Sequence, residues 1–421
     1  MSGLGPDLAW IDAALTSARP QALAALLRYF RDLDLAEEAY QEACLRALRT
    51  WPHNGPPRDP TAWLVLVGRN VAIDATRQRS RQNPLPDHEI AVDGDAEGDM
   101  ADRLDESHYR DDVLRLLFIC CHPDLPATQQ IALALRIVSG LTVQQIARAF
   151  LVSDSAMEQR ITRAKGRIAK ADVAFEAPGA VERAERLAAV AAMIYLVFNE
   201  GYSASGHGAA VRLPLADEAI RLARLLLRLF PAEPEIMGLT ALLLLQHART
   251  PARFDADGAV VLLEDQDRAA WNQAMITEGL ALIDKAMRHR RRGPYQVQAA
   301  IAALHARAAT PQDTDWWQID LLYAALEELT PSPVVTLNRA VAVAKLRGPD
   351  EALAMIEPLA KPLAGYFHFF GLKGALLKQL GRGAEARVAF DRAIALANTA
   401  AEAAHIRQHL DQLEKDATAK I

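Results

Sequence analysis

Apolar residues recur three and four positions apart along most of the chain, and no convincing strand-like alternation interrupts them. The pattern therefore predicts an all-α protein. Near the N-terminus it places helices over 21–31 and 34–50. A third starts at Asp59-Pro60 and continues to Arg81, with Asp59 as N-cap and Pro60 at the first helical position. On the second helix Ala36, Tyr40, Ala43 and Ala47 share the inward face. Periodicity resumes at Asp112, where Val113, Leu116, Leu117, Cys120 and Cys121 form one apolar stripe, and three further helices follow within 126–170. Beyond Pro178 the chain reads as helical almost throughout, with breaks at 201–214, 230–234, 250–257, 292–294, 310–314 and 330–333.

Residues 83–112 have a different character. Eleven acidic residues stand there against two arginines, with Pro84, Pro86, Gly94 and Gly98 among them. Such a stretch buries little and repels itself, so it is expected to be a flexible linker. The expected organisation is a helical domain over 1–82, the linker over 83–112, a second helical domain over 113–172 and a helical extension over 173–421.

Charge and cysteine content narrow the class. A net charge of −6 argues against a general polyanion binder, so the location of the cations matters more than their number. Three cysteines, Cys44, Cys120 and Cys121, do not make a disulfide framework and fit a reducing compartment. No secretory signal is expected at the N-terminus. The longest apolar run, Leu187 to Phe198, has 12 residues, which is too short to span a bilayer. A cytoplasmic protein without a membrane segment is the expectation.

The extension contains an internal repeat. Ala340, Ala352 and Ile356 recur as Gly374, Ala386 and Phe390, and Leu346 as Leu380, each 34 positions later. A 34-residue period with small residues at helix crossings is the tetratricopeptide pattern, clearest over 333–400.

Three motifs carry chemistry. Residues 141–150, the turn Leu151-Val152-Ser153 and a helix over 154–170 form a helix-turn-helix, with Met157, Ile161 and Ala164 buried. This leaves Ser155, Ala156, Glu158, Gln159, Arg160, Arg163 and Lys165 outward, as a groove-reading helix requires. On the helix from Pro60, Asn70, Asp74, Arg77 and Arg81 share a face by their spacing. Arg69 flanks that face and Trp63 lies one turn into the helix on the same side as Asn70, giving cations for phosphates and a ring for a base. On the helix near 34–50, Glu38, Gln41, Glu42 and Leu45 make an outward, mostly acidic patch. Each motif also has a plain reading, as a basic solvated face, a core tryptophan and a surface helix respectively. Their order along the chain decides between the readings.

That order resembles regions two and four of the sigma-70 family, in its extracytoplasmic-function branch, over residues 8–172. The matching stretches are Glu38-Ala-Tyr-Gln41-Glu42, Ala62-Trp63-Leu64 with Arg69-Asn70, Ile73-Asp74 and Arg77, and the final helix of the helix-turn-helix. The resemblance implies that the acidic segment docks the β′ subunit of bacterial RNA polymerase. It also implies that the Asn70–Arg77 segment melts and holds the −10 element, and that the last helix reads the −35 element. Glu38 stands where the family usually has Asp, and Ser155-Ala156 where it often has Gly-Thr. The longer chain resembles a subgroup with a tetratricopeptide-like extension through Cys120-Cys121-His122-Pro123, Phe198-Asn199-Glu200-Gly201-Tyr202, Leu263 to Arg268 and Ser332-Pro333-Val334 with Leu337-Asn338-Arg339-Ala340. The resemblance implies core polymerase, through β′ and β, and promoter DNA as partners, no cofactor, and regulation by the extension, which is expected to take a protein or peptide.

Other features are read structurally. Cys120-Cys121-His122 lacks a second ligand pair and reads as packing at a helix end rather than a metal site. Glu264, Asp265 and Asp267 lack a nucleophile or phosphate loop and read as a structural loop. Asn199 to Tyr202 reads as a C-cap turn at Gly201. The rival readings are a one-component helix-turn-helix regulator with a tetratricopeptide sensor, and an enzyme in the C-terminal half.

Overall fold

The computed structural model describes residues 9–81, 106–150, 152–171, 180–202, 209–255, 260–397 and 400–418. Within these spans the side chains of 9, 72–81, 106–111, 180–183, 209–214, 400–401 and 414–418 are not described. The chain divides into two compact units, 1–197 and 198–421. The described regular structure is helical, and strand-type bridging is limited there to one isolated pair, Phe254 and Val260.

The first unit contains α1 (Ala9–Phe30), α2 (Leu33–Asn54), α3 (Pro60–Arg81), α4 (Glu106–Cys120), α5 (Ala127–Ile137), α6 (Val143–Ala149) and α7 (Asp154–Lys170). Local chemistry sets the starts of α2 and α3. Asp32 accepts from Leu35 N at 3.0 Å, and Asp59 accepts from Thr61 N and Ala62 N at 2.8 and 3.1 Å. The inward face predicted for α2 is realised: Ala36, Tyr40, Ala43 and Ala47 are all buried. Small residues let the helices close up. A Cβ at Gly68 would lie 2.9 Å from Ala39 O, so α3 crosses α2 at near backbone contact. The stripe predicted on α4, Val113 to Cys121, is likewise buried.

Three boundaries differ from expectation. Helix α1 begins at Ala9 and runs through Pro20, where the pattern predicted a start at 21. Ile11 and Ala18 extend its inner face, and the Tyr40 hydroxyl donates to the carbonyl of Leu15 at 2.9 Å near the proline interruption. Helix α4 starts at Glu106, inside the expected linker, and Asp112 is buried with Arg28 at 3.3 Å. The part of the expected linker over 83–105 lies outside the described residues. Helix α6 starts at Val143 because Thr142 and Gln145 close a capping box.

Helix α8 (Ala180–Tyr202) holds the division between the units. The second unit continues with α9 (Ala209–Leu229), α10 (Pro234–His247), α11 (Gln273–Met287), α12 (Pro294–Arg307), α13 (Trp316–Leu329), α14 (Pro333–Arg347), α15 (Pro349–Ile356), α16 (Phe367–Gln379), α17 (Gly383–Leu396) and α18 (Ala400–Thr418). The break expected over 201–214 is shorter, since α9 begins at Ala209 and includes Pro214. Helix α10 is apolar on every side, and Ile236, Met237, Leu239 and Leu242 through Leu245 are buried among α9, α11 and α12. The Glu235 carboxylate accepts from Tyr295 N at 2.6 Å and Gln296 Nε2 at 3.0 Å, which anchors α10 to the N-terminus of α12.

The 34-residue repeat folds as two successive hairpins, α14–α15 and α16–α17. Gly348 (φ 98°) and Gly381 (φ 73°) make their turns in the left-handed region that glycine favours. Ala340, Ala352, Ile356, Ala386 and Phe390 are fully buried in the core they share. Gly374 occupies the crossing: a Cβ there would lie 2.5 Å from the Phe390 ring. Gly374→Ala is therefore expected to push α16 and α17 apart and to cost about 1–3 kcal/mol, as overpacking does. Thermal unfolding would show it, and an unchanged midpoint would mean the ring can turn aside.

Candidate functional site

On α2 the outward patch predicted from sequence is formed. Glu38, Gln41 and Leu45 are exposed and Glu42 is half-buried. Leu45 is 51% exposed and Leu48, one turn on, is 50% exposed, so two leucines lie open beside the acids. A row of carboxylates beside open leucines can dock a helical partner that offers cations and a groove.

The other edge of α2 holds what sequence reasoning missed. Glu37 is 4% exposed and lies among cations from three elements. Lys165 of α7 approaches at 2.8 Å, Arg136 of α5 at 2.9 Å and Arg19 of α1 at 3.7 Å. Lys165 also meets Asp34 at 2.6 Å. Burial works against the Lys165 ammonium, but its bonds to Asp34 and Glu37 outweigh this and hold its pKa above the ordinary value. Burial lowers the Arg19 pKa, and the nearby Tyr40 and Glu37 only partly offset it. Arg19 Nε additionally donates to Ile137 O at 3.0 Å. Lys165 was expected to face DNA phosphates. Here it ties the helix-turn-helix to the helix that carries the acidic patch.

The helix-turn-helix itself follows the predicted register. Ser153 accepts from Ala156 N at 3.2 Å and starts α7. Met157, Ile161 and Ala164 are buried, as is Ile168. Ser155, Ala156, Glu158, Gln159 and Arg163 are exposed and Arg160 is half-buried. The N-terminal half of α7 thus presents short polar groups with a cation on an open face. That is what entry into a major groove requires.

On α3 the outcome is mixed. Trp63 is 9% exposed and meets Trp51 edge-on at 5.3 Å between ring centres. This corrects the expectation of a base-stacking ring, because Trp63 belongs to the core that joins α2 and α3. Arg69 is half-buried with its guanidinium 5.8 Å from the Tyr29 ring, and Asn70 is half-buried. The helix backbone carries Asp74, Arg77 and Arg81 onward, but their side chains lie outside the described residues.

The remaining motifs resolve locally. Cys120 and Cys121 are buried in α4, and burial pushes both thiols up, Cys121 to about 12. Glu264 pairs with Lys345 at 2.8 Å, and Asp267 caps Ala269 N at 2.9 Å. Gly201 does not end its helix, since α8 continues through Tyr202.

Two helical modules, one with an exposed acidic patch beside an Asn/Arg helix and the other a capped helix-turn-helix, define a DNA-binding protein of transcription. Residues 15–82 match the family described as Sigma-70 region 2, and residues 115–168 match Sigma-70, region 4. Residues 186–287 match a family described only as a Family of unknown function, DUF6596. The chain is 72% identical over 408 residues to "Uncharacterized protein R00370" of Rhizobium meliloti (strain 1021), covering 97% of this chain and 96% of that one. The chain belongs to the sigma-70 family, as an extracytoplasmic-function sigma factor with a C-terminal extension. It is an RNA polymerase sigma factor, whose partners are the polymerase core and promoter DNA. No helix among the described residues is long and apolar enough to cross a membrane.

Proposed function

We propose that the two sigma regions divide the work by residue as follows, with the extension as regulator. Glu38, Gln41, Glu42 and Leu45 hold the β′ subunit, and β takes part through the second module. Arg69, Asn70, Asp74, Arg77 and Arg81 receive an unpaired base and its phosphates at the −10 element. Ser155, Ala156, Glu158, Gln159, Arg160 and Arg163 read the −35 duplex. Lys165 joins them once its bonds to Asp34 and Glu37 are released. The supporting observation is the open, polar N-terminal half of α7 in the same unit as the open acidic face of α2. The chain acts in the cytoplasm and performs no catalysis of its own. The hairpins of α14–α17 provide a surface for a protein or peptide that controls the sigma regions.

Glu42→Arg reverses charge in the docking patch and is expected to weaken core binding by at least tenfold. Like-charge contacts at an interface cost several kcal/mol, and each 1.4 kcal/mol is a decade in affinity. Co-purification with core polymerase measures this, and unchanged recovery would move the docking surface elsewhere. Transcription in vitro with the full chain and with residues 1–172 tests the regulatory role. Equal promoter output from both would remove it.

A further inference from the structure

Three arginines gather within the family-of-unknown-function segment, none of them ion-paired with a described carboxylate. The Arg253 guanidinium stacks 3.6 Å above the Tyr202 ring and donates to Tyr202 O at 2.6 Å. Arg249 donates to the Tyr202 hydroxyl at 2.8 Å and also to Gln246 Oε1. Arg268 lies over Trp271 at 4.8 Å and donates to the carbonyls of Ala308, at 2.9 Å, and His305. None of the three forms an ion pair with a described carboxylate, and Asp313 acts on Arg268 only through space. The charge of Arg249 bears on Arg253, Arg268 and His305 alike, so the four basic groups form one field.

The plain account is that these arginines cap helix ends, since Tyr202 ends α8 and His305 and Ala308 lie at the end of α12. Magnitude limits that account. A helix C-terminus offers roughly half a negative charge. The ends of α8, α10 and α12 together offset about half of three guanidinium charges. Two donors are also unused: Arg268 Nε and the indole N–H of Trp271 are buried without a partner, and Trp271 is 3% exposed. Burial first, then Arg249 and Arg268, lower the His305 pKa to about 4, so the ring is neutral at pH 7 and adds no charge. Guanidinium forks with free N–H groups are suited to an oxyanion with several acceptor oxygens.

We propose that Arg249, Arg253 and Arg268, with Tyr202, Trp271 and His305, form a binding site for a small phosphorylated ligand in the extension. The site unites two stretches that the promoter and polymerase assignments leave unused, Asn199–Tyr202 and Glu264–Arg268. It does not depend on the promoter assignments above.

Calorimetric titration of the full chain with inorganic phosphate and with phenyl phosphate, in low-salt buffer, tests the site. Saturable binding in the millimolar range or tighter is expected, with phenyl phosphate the stronger of the two. Arg249→Gln should weaken it at least tenfold, while Arg307→Gln, on an exposed pair with Asp284, should not change it. The circular dichroism spectrum verifies folding of each variant. Should Arg249→Gln unfold, the wild-type His305 titration followed by NMR decides, because a bound dianion must raise that pKa. No saturable binding, equal loss in the Arg307 variant, or an unmoved His305 titration would each overturn the proposal.

Discussion

Replacing Arg77 with alanine is expected to abolish open-complex formation while leaving association with core polymerase intact. The spacing from Asn70 through Asp74 to Arg77 and Arg81 puts these groups on one helix face, C-terminal to the core positions that pack α3 on α2. Holding a base out of the stack costs a few kcal/mol, so the complex persists only while its pocket contacts offset that cost. Losing a close charged contact costs roughly 2–5 kcal/mol, a fall of about 30-fold to several thousand-fold in the melted population. The docking face proposed on α2, with Glu38, Gln41 and Leu45 exposed, is a separate one, so core binding should survive. Permanganate footprinting at the −10 element reads the melted thymines. Wild-type reactivity in the variant would remove Arg77 from the melting surface.

Removing Glu37 is the second large effect. In Glu37→Ala, Lys165, Arg136 and Arg19 lose the buried carboxylate they surround. Breaking a buried pair costs about 3–5 kcal/mol when the survivors stay buried. All three cations retain some exposure here, so about 2–4 kcal/mol is expected after that discount. For a unit of this size, that lowers the unfolding midpoint by roughly 5–15 °C. The Lys165 pKa is raised above 10.5, so its share of the stability is fully present at neutral pH and disappears only as pH climbs through that higher value. Energy transfer between labels on α2 and α7 should also report a longer, broader distance. An unchanged midpoint together with an unchanged distance would show that apolar packing alone holds the second module in place.

The two predictions concern opposite faces of one arrangement. The outward side of α2 carries the exposed Glu38, Gln41 and Leu45, while its inner edge clamps α7 through Lys165. Engaging DNA phosphates with Lys165 therefore exchanges one set of anions for another.

Local chemistry made much of this protein legible in its sequence. Helices pay most of their backbone hydrogen bonds to near neighbours, so apolar periodicity, Asp59-Pro60 and Ser153 sufficed to place α2, α3 and α7 and their inward faces. The 34-residue spacing likewise identified the paired hairpins, because each repeats the same crossing. What required tertiary structure was every decision involving partners remote in the chain. Trp63 could be a base platform or a core ring, and only its packing against Trp51 decided for the core. Nothing in the local sequence sets Glu37 apart from the acids beside it; Lys165, 128 residues away, is what closes on it. The cluster of Arg249, Arg253 and Arg268 likewise arises only where the ends of separate helices bring them together. Charge acts through space, so neighbours along the chain say little about which ions a fold brings face to face.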